Sequence, residues 1–325
     1  MFHAIMITQP GGPEVLRWQE VPLAMPGPGQ VLVRNKAVGL NFIDIYHRSG
    51  LYKLPSYPSP IGLEGAGLVE AVGPGIKEFK VGDRVAYCQG PVGAYAEARV
   101  MPADRLVKLP KRVDFQKAAA MMLQGMTVQY LIRRTYKVKK GDTILMHAAA
   151  GGVGLILCQW AKHLGATVIG TVSSDEKAKL AKAHGCKHPI VYTRENFVTR
   201  VKEITKGEGV PVVYDGIGKD TFDRSLDCLR PLGLMVSFGS ASGPVPPVDL
   251  GVLAAKGSLF LTRPTLMTYA AKRNDLLAGA RDLFKVVESG AVKIRVQQTY
   301  PLKDAAQAHV DLAARKTTGS TVLMP

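Results

Sequence analysis

The stretch that most narrows what this chain can fold into is TILMHAAAGGVGLILCQWAKHLG, residues 143–165. An apolar run of strand length, Thr143 to His147, meets a glycine-rich turn. A helix then starts near Gly152 and stops at Gly165. The same alternation continues downstream. The further strands are ATVIGTV, HPIVYT, VPVVYDG, LGLMVSFG and GSLFLT, and between them lie SDEKAKLAKAHG, RENFVTRVKEITKG and KDTFDRSLDCLRPLG. Several of these helical segments end in Gly, the residue that most readily takes the left-handed turn after a helix. Continuous apolar strands alternating with helices require a parallel sheet covered on both faces. Six such strands over 124–261 make a doubly wound Rossmann-type α/β sheet.

The flanks have a different texture. Residues 1–123 carry short β-like runs, VLVRNKAVGL, GLVEAVG, DRVAYC and AYAEARV, separated by turn signals such as PGPG, GPG and VGD. They read as a small, mostly β domain. Residues 262–325 hold a helix from Asn274 to Ser289, the strand AVKIRVQQTYPL, a helix from Lys303 to Arg315 and the strand STVLMP.

The turn after the first α/β strand is a dinucleotide motif with one departure. Against G-x-G-x-x-G, the first position is Ala149, the second is Gly151 and the third is Gly154. Gly151 lets the backbone approach a pyrophosphate, and Gly154 lets the helix pack closely on the strand. The helix N-terminus offers N–H groups and the positive end of its dipole to the phosphates. An NAD enzyme would place Asp or Glu at the end of the next strand to hold the ribose hydroxyls. Here Ser173 and Ser174 stand there. Asp175 and Glu176 follow, with Ser173 and Glu176 at capping-box spacing, and then Lys177. Hydroxyls and a lysine suit a 2′-phosphate, so the expected cofactor is NADPH.

Bulk properties exclude other classes. The formal net charge of +16 is spread along the chain without a run of five or six cations, so nucleic acid is not expected as the main partner. Four cysteines, Cys88, Cys158, Cys186 and Cys228, stand far apart with no C-x-x-C pair, as free thiols of a reducing cytoplasm do. No secretory leader is read at the start, and no apolar run approaches the roughly 20 residues of a membrane helix.

Four segments together resemble a known family: GLNFIDIYHRSGLY, PIGLEGAGLVEAVGPGIKEFKVGDRVAY, GDTILMHAAAGGVGLILCQWAKHLGA and YDGIGKDTFDRSLDCLRPLGLMVSFGSASG. They are similar to the ζ-crystallin-like quinone oxidoreductases of the medium-chain dehydrogenase/reductase superfamily, over nearly the whole chain. The resemblance implies a GroES-like catalytic domain made of 1–123 and 262–325, a Rossmann domain at 124–261, and an active site in the cleft between them. It also implies NADPH and quinone reduction without metal, in a homodimer. By motif, the implied cofactor residues are Asn41, Tyr46, Thr127, Tyr130, Gly151, Gly152, Val153, Gly154, Ser173, Lys177, Tyr192, Gly216, Phe238, Gly239, Ser240 and Arg315. Tyr46 and Tyr52, with Asn41, would line the reacting side.

The zinc alcohol dehydrogenases of the same superfamily differ where it matters. Asn41 and Leu63 stand where they carry their catalytic Cys and His, and the four-cysteine lobe is absent after GDRVAYC. Glu64, His47 and His147 are expected to be structural. The resemblance leaves two rivals open: reduction of an enone or alkenal double bond on the same fold, and an RNA-binding or crystallin-like structural role.

Overall fold

A computed structural model describes every residue from Met1 to Pro325. The chain forms two compact units. One comprises Met1–Met126, Ala270–Phe284 and Ile294–Pro325, and the other Thr127–Tyr269 and Lys285–Lys293.

The first unit is built on β-strands. In chain order its early elements are β1 (Phe2–Ile7), β2 (Arg17–Val21), β3 (Gln30–Leu40), α1 (Phe42–Ser49), β4 (Ser59–Pro60), β5 (Glu64–Val72), β6 (Arg84–Tyr87), β7 (Ala98–Pro102), β8 (Val107–Lys108) and α2 (Phe115–Ala119). Helix α3 follows at Met122–Tyr130. Strand β3 is the hub. It pairs antiparallel with β5, with β7, and with the final strand of the chain. Its Val31, Val33, Val38 and Leu40 enter a core with Ile5, Ile7, Ile61, Tyr95 and Leu106. Burying each aliphatic side chain stabilises by roughly 1.5–3 kcal/mol, so this cluster, rather than local strand propensity, holds the short strands together.

The second unit holds the parallel sheet. Its elements are β9 (Thr143–Met146), α4 (Gly152–His163), β10 (Thr167–Val172), α5 (Asp175–Ala183), β11 (His188–Val191), α6 (Phe197–Ile204), β12 (Val210–Asp215), α7 (Phe222–Leu226), β13 (Leu229–Ser237), α8 (Gly251–Ala255) and β14 (Phe260–Thr262). All six strands run parallel in the order β11-β10-β9-β12-β13-β14. Leu145, Ile169, Ile190, Val213 and Met235 from five strands pack with Phe197, Phe222 and Leu226. The chain then runs through α9 (Leu266–Tyr269), α10 (Arg273–Glu288), β15 (Val296–Pro301), α11 (Ala305–Ala313) and β16 (Ser320–Met324). Strand β16 returns to β3, with Leu323 opposite Val38.

Three local expectations are corrected. The helix read through KDTFDRSLDCLRPLG stops at Leu226, and Leu229 already pairs with Val210 as strand. Arg230 precedes Pro231, and a residue before proline is pushed out of helical geometry. The strand read over AYAEARV begins only at Ala98, and the one read over AVKIRVQQTYPL only at Val296. Helices α1, α2 and α3 carried no helix expectation. Asp114 caps α2 by accepting the Lys117 N–H at 2.7 Å.

Candidate cofactor and substrate site

The parallel sheet starts in its middle, at β9, runs outward to β11, then returns to β12 and runs outward to β14. The order reverses between β9 and β12, and open α/β sheets bind ligands beyond the carboxyl ends of their strands at that point. The sequence-derived cofactor residues fall along this edge. Gly151 to Gly154 follow β9, Ser173 and Lys177 follow β10, and Tyr192 follows β11. Gly216 follows β12, and Phe238, Gly239 and Ser240 follow β13. Thr127 and Tyr130 lie on α3 and are buried. Tyr130 stacks on Tyr269 with centroids 4.5 Å apart.

The turn after β9 is held by its backbone. Ala148 takes φ 54°, the Ala149 N–H reaches the Thr171 carbonyl at 3.0 Å, and the Gly151 N–H reaches the Ala148 carbonyl at 2.9 Å. Helix α4 then begins with Gly152, Val153 and Gly154, with no acid in its first turn. Their N–H groups have no acceptor within the helix. A Cβ on Gly154 would lie 2.4 Å from the Ala148 carbonyl oxygen, whereas one on Gly151 would lie 3.3 Å from the same atom. The third glycine is therefore required by packing and the second keeps the approach open. The Ala in place of the first glycine is accommodated by Gly170: Ala149 is fully buried, and its methyl lies where a Cβ on Gly170 would come within 2.5 Å. This cradle fits a pyrophosphate.

At the end of β10 the cap sits one residue later than expected. Ser174, not Ser173, accepts the Lys177 N–H, at 3.3 Å, and α5 begins at Asp175. Ser173 is thereby outside the cap; its carbonyl accepts from Thr193 Oγ1 at 3.3 Å, and the Tyr192 N–H reaches the Val172 carbonyl at 3.0 Å. Asp175 is gripped by Arg194 through two bonds of 2.7 and 2.6 Å.

Two further loops press together beyond β12 and β13. A Cβ on Gly239 would sit 2.5 Å from the Gly216 carbonyl oxygen, and one on Gly216 3.0 Å from the Phe238 ring. Sequence reasoning missed what anchors them. Asp215, fully buried, accepts the N–H groups of Ile217 and Gly218 at 2.7 and 3.1 Å and the Thr221 hydroxyl at 2.8 Å. Its only sequence signal is an acid between an apolar strand and a glycine, VVYDG. His147 bridges Thr171 and Ser225, at 2.9 Å on each ring nitrogen, and burial lowers its pKa. That ring ties β10 to α7.

In the first unit, Asn41 precedes α1. Its N–H reaches Asp44 Oδ2 at 2.9 Å, and the Asp44 N–H returns to its carbonyl at 3.0 Å. Its side-chain amide lies 2.6 Å from Glu64 Oε2 at one end and 3.2 Å from the Gln124 amide at the other. Tyr46 and Tyr52 meet edge to face with centroids 5.1 Å apart, and the Tyr52 N–H bonds the Tyr46 carbonyl at 3.0 Å. Arg315, exposed after α11, takes φ 59°.

Beneath α1 lies a buried chain that the sequence did not announce. Arg48 Nη1 donates to His309 Nδ1 at 3.2 Å. The other ring nitrogen, Nε2, lies 3.0 Å from Tyr95 Oη, which donates to Asp44 Oδ2 at 2.9 Å. Burial, with the nearby Arg48 cation, pushes His309 down to about 3, so it is neutral with its proton on Nε2. Burial pushes Asp44 up to about 7 and Glu64 up to about 8.

Two family models match the chain. One is described as the alcohol dehydrogenase GroES-like domain, over residues 27–111, and the other as zinc-binding dehydrogenase, over residues 152–276. The chain is 57% identical to a quinone oxidoreductase of Pseudomonas aeruginosa over the full length of both. It is 49% identical to a 2-haloacrylate reductase of Burkholderia sp, covering 100% of this chain and 99% of that one. A crystal structure of Escherichia coli quinone oxidoreductase complexed with NADPH matches with a TM-score of 0.98 at 50% identity, covering 99% of this chain and 100% of that one. A GroES-like region followed by this parallel sheet defines a medium-chain dehydrogenase/reductase. Within that superfamily, the chain belongs to the quinone oxidoreductases.

Proposed function

We propose that this chain reduces quinones with NADPH. The observation that carries the reading is the edge of the parallel sheet: a close-packed glycine turn opening α4, beside a β10 end that offers Ser173 and Lys177 while its acid, Asp175, is neutralised by Arg194. Bound reduced nicotinamide supplies the hydride. The N–H groups of Gly152, Val153 and Gly154 hold the pyrophosphate, and Ser173, Lys177 and Tyr192 hold the ribose 2′-phosphate. Gly216, Phe238, Gly239, Ser240, Thr127, Tyr130 and Arg315 complete the cofactor contacts.

Asn41 and Tyr46 border the nicotinamide, and Tyr46 with Tyr52 gives the acceptor ring an aromatic surface that excludes water. The chemistry proceeds without zinc in this reading, because Asn41 and Leu63 occupy the places of two zinc ligands and no three His, Cys, Asp or Glu side chains converge in the chain. An acceptor that takes electrons without a Lewis acid is then favoured. The 2-haloacrylate reductase relative supports one alternative, reduction of an activated carbon–carbon double bond in the same pocket.

The assembly in this reading is a homodimer. Strand β14 ends the sheet, with Phe260 59% exposed and Leu261 37% exposed, and such an edge pairs readily with a copy of itself. Four buried free thiols support a reducing, cytoplasmic setting, and no helix is long and apolar enough to cross a membrane. The test is NADPH oxidation on addition of a quinone in the presence of a strong chelator, with elemental analysis of the same sample. Turnover by a zinc-free sample is expected. Stoichiometric zinc, lost together with activity, would remove the metal-free reading.

A further inference from the structure

Four buried side chains form an unbroken line: Glu64, Asn41, Gln124 and Ser320. Glu64 Oε1 accepts the Leu123 N–H at 2.8 Å. Glu64 Oε2 lies 2.6 Å from the Asn41 amide, whose other end lies 3.2 Å from the Gln124 amide. The far end of Gln124 lies 2.7 Å from Ser320 Oγ, which lies 2.8 Å from the Ala120 carbonyl oxygen. Were Glu64 ionised, Asn41 Nδ2 would donate to it and Gln124 Nε2 to Asn41 Oδ1. That order leaves Gln124 Oε1 facing Ser320. The single Ser320 proton would then have to serve both Gln124 Oε1 and the Ala120 carbonyl, so one close oxygen pair would lack a hydrogen.

Nitrogen and oxygen of a carboxamide are nearly isosteric, and their partners decide which is which. Turning both amides over repairs the count. Ser320 donates to Ala120, Gln124 Nε2 donates to Ser320 Oγ, and Asn41 Nδ2 donates to Gln124 Oε1. Asn41 Oδ1 then faces Glu64 Oε2 and needs a proton from it. The 2.6 Å contact fits this order, since O–H···O bonds run about 2.5–3.0 Å and N–H···O bonds about 2.7–3.2 Å. The surroundings agree. Glu64 is fully buried and pressed against Gly39, where a Cβ would come within 2.2 Å of Oε2. The titratable groups acting on it are Asp44 on α1, Tyr87 on β6, and Cys88 and Tyr95 beyond it, none of them a cation.

We propose that Glu64 is a neutral carboxylic acid that donates its proton to Asn41 Oδ1, and so is the positioning residue that fixes which way round the Asn41 amide is held. Burial, the dominant influence on this carboxyl, acts in the same direction. The functional half rests on the reading of Asn41 as a pocket residue. Loss of the Glu64 proton turns both amides over and changes what Asn41 offers.

Infrared spectroscopy of the full-length protein without cofactor tests the proton. The wild-type spectrum minus that of Glu64→Gln is expected to show a protonated-carboxyl carbonyl band at neutral pH, fading as pH passes about 8. If Glu64→Gln fails to fold, the pH titration of the wild-type band, compared with that of Asp44→Asn, makes the same measurement. Carboxylate bands alone at neutral pH overturn the proposal. The KM for NADPH should rise severalfold across the same pH range in wild type and in Asp44→Asn, and stay flat in Glu64→Gln. A protonated band with a flat wild-type KM refutes the positioning role and takes Asn41 out of the pocket, leaving the neutral acid a structural feature.

Discussion

Arg194 closes on Asp175 with both prongs of its guanidinium, at 2.7 and 2.6 Å. The pair sits where β10 ends, beside Ser173 and Lys177, and the hydrogen bonds from Arg194 hold the Asp175 carboxyl below its ordinary range. The first acid after β10 is thus paired with a cation, and in the proposed reading Lys177 is the cation that meets the 2′-phosphate. Hydrogen bonds to charged groups contribute roughly 1.5–3 kcal/mol. Lys177→Ala should therefore raise the KM for NADPH about tenfold to a hundredfold and leave NADH nearly unchanged. Arg194→Ala, which frees Asp175, should shift preference in the same direction by less. Steady-state kinetics with both cofactors decides this, and equal weakening of NADPH and NADH would make Lys177 a surface residue only.

Gly154 admits no side chain. A Cβ there meets the Ala148 carbonyl oxygen at 2.4 Å and the Ala149 backbone at 2.7 Å, atoms that cannot rotate away. Gly154→Ala should push α4 off β9, destabilise the protein by about 1–3 kcal/mol and weaken NADPH binding. Gly151→Ala, with its nearest atom at 3.3 Å, should be milder in both respects. Calorimetry and a fluorescence titration of NADPH give the two readouts, and an unaffected Gly154→Ala would show that the turn has slack.

Stability should fall as pH rises above neutrality. Asp44 and Glu64 hold protons in the folded state up to about 7 and about 8, protons that an unfolded chain has already released. Folding therefore loses ground as pH climbs through those values. His309, held neutral in the fold, acts in the opposite sense: its stability is present above the ordinary histidine pKa of about 6.5 and is lost as pH drops toward about 3. Between neutrality and about 8 the carboxyls dominate this set. Urea midpoints should decline over that window in the wild type and decline less in Asp44→Asn and Glu64→Gln. A midpoint that rises there would contradict the buried neutral acids.

Much of this architecture was written in periodicity and punctuation. The six apolar runs, the glycine turn and the missing acid after β10 are local signals, and they located the parallel sheet and the residues of its carboxyl edge. The line from Glu64 to Ser320 and the chain from Arg48 to Asp44 were not legible. Their directly bonded partners are separated by up to 261 positions and meet only through strand pairing and helix packing. A buried Asp or Glu in sequence looks like any surface acid. The helix end at Leu226 was misplaced because apolar CLRPLG suits either state, and the one-residue slip from Ser173 to Ser174 reflects two adjacent serines that both fit a cap.

The exposed edge of β14 makes the dimer testable. Phe260→Lys places a charge at the edge where two copies are proposed to pair. Light scattering should give twice the chain mass for the wild type and the single-chain mass for the variant. A wild-type protein already monomeric at micromolar concentration would remove the dimer.

The acceptor defines the reaction. Its most direct test is kcat/KM for NADPH oxidation by the same zinc-free sample with a simple benzoquinone, a 2-haloacrylate, an enone and an aldehyde. The quinone should be the best acceptor by a wide margin, and the aldehyde should not be reduced. Efficient turnover of the haloacrylate or enone with no quinone reduction would contradict this expectation, and would make the chain a double-bond reductase on a quinone oxidoreductase fold.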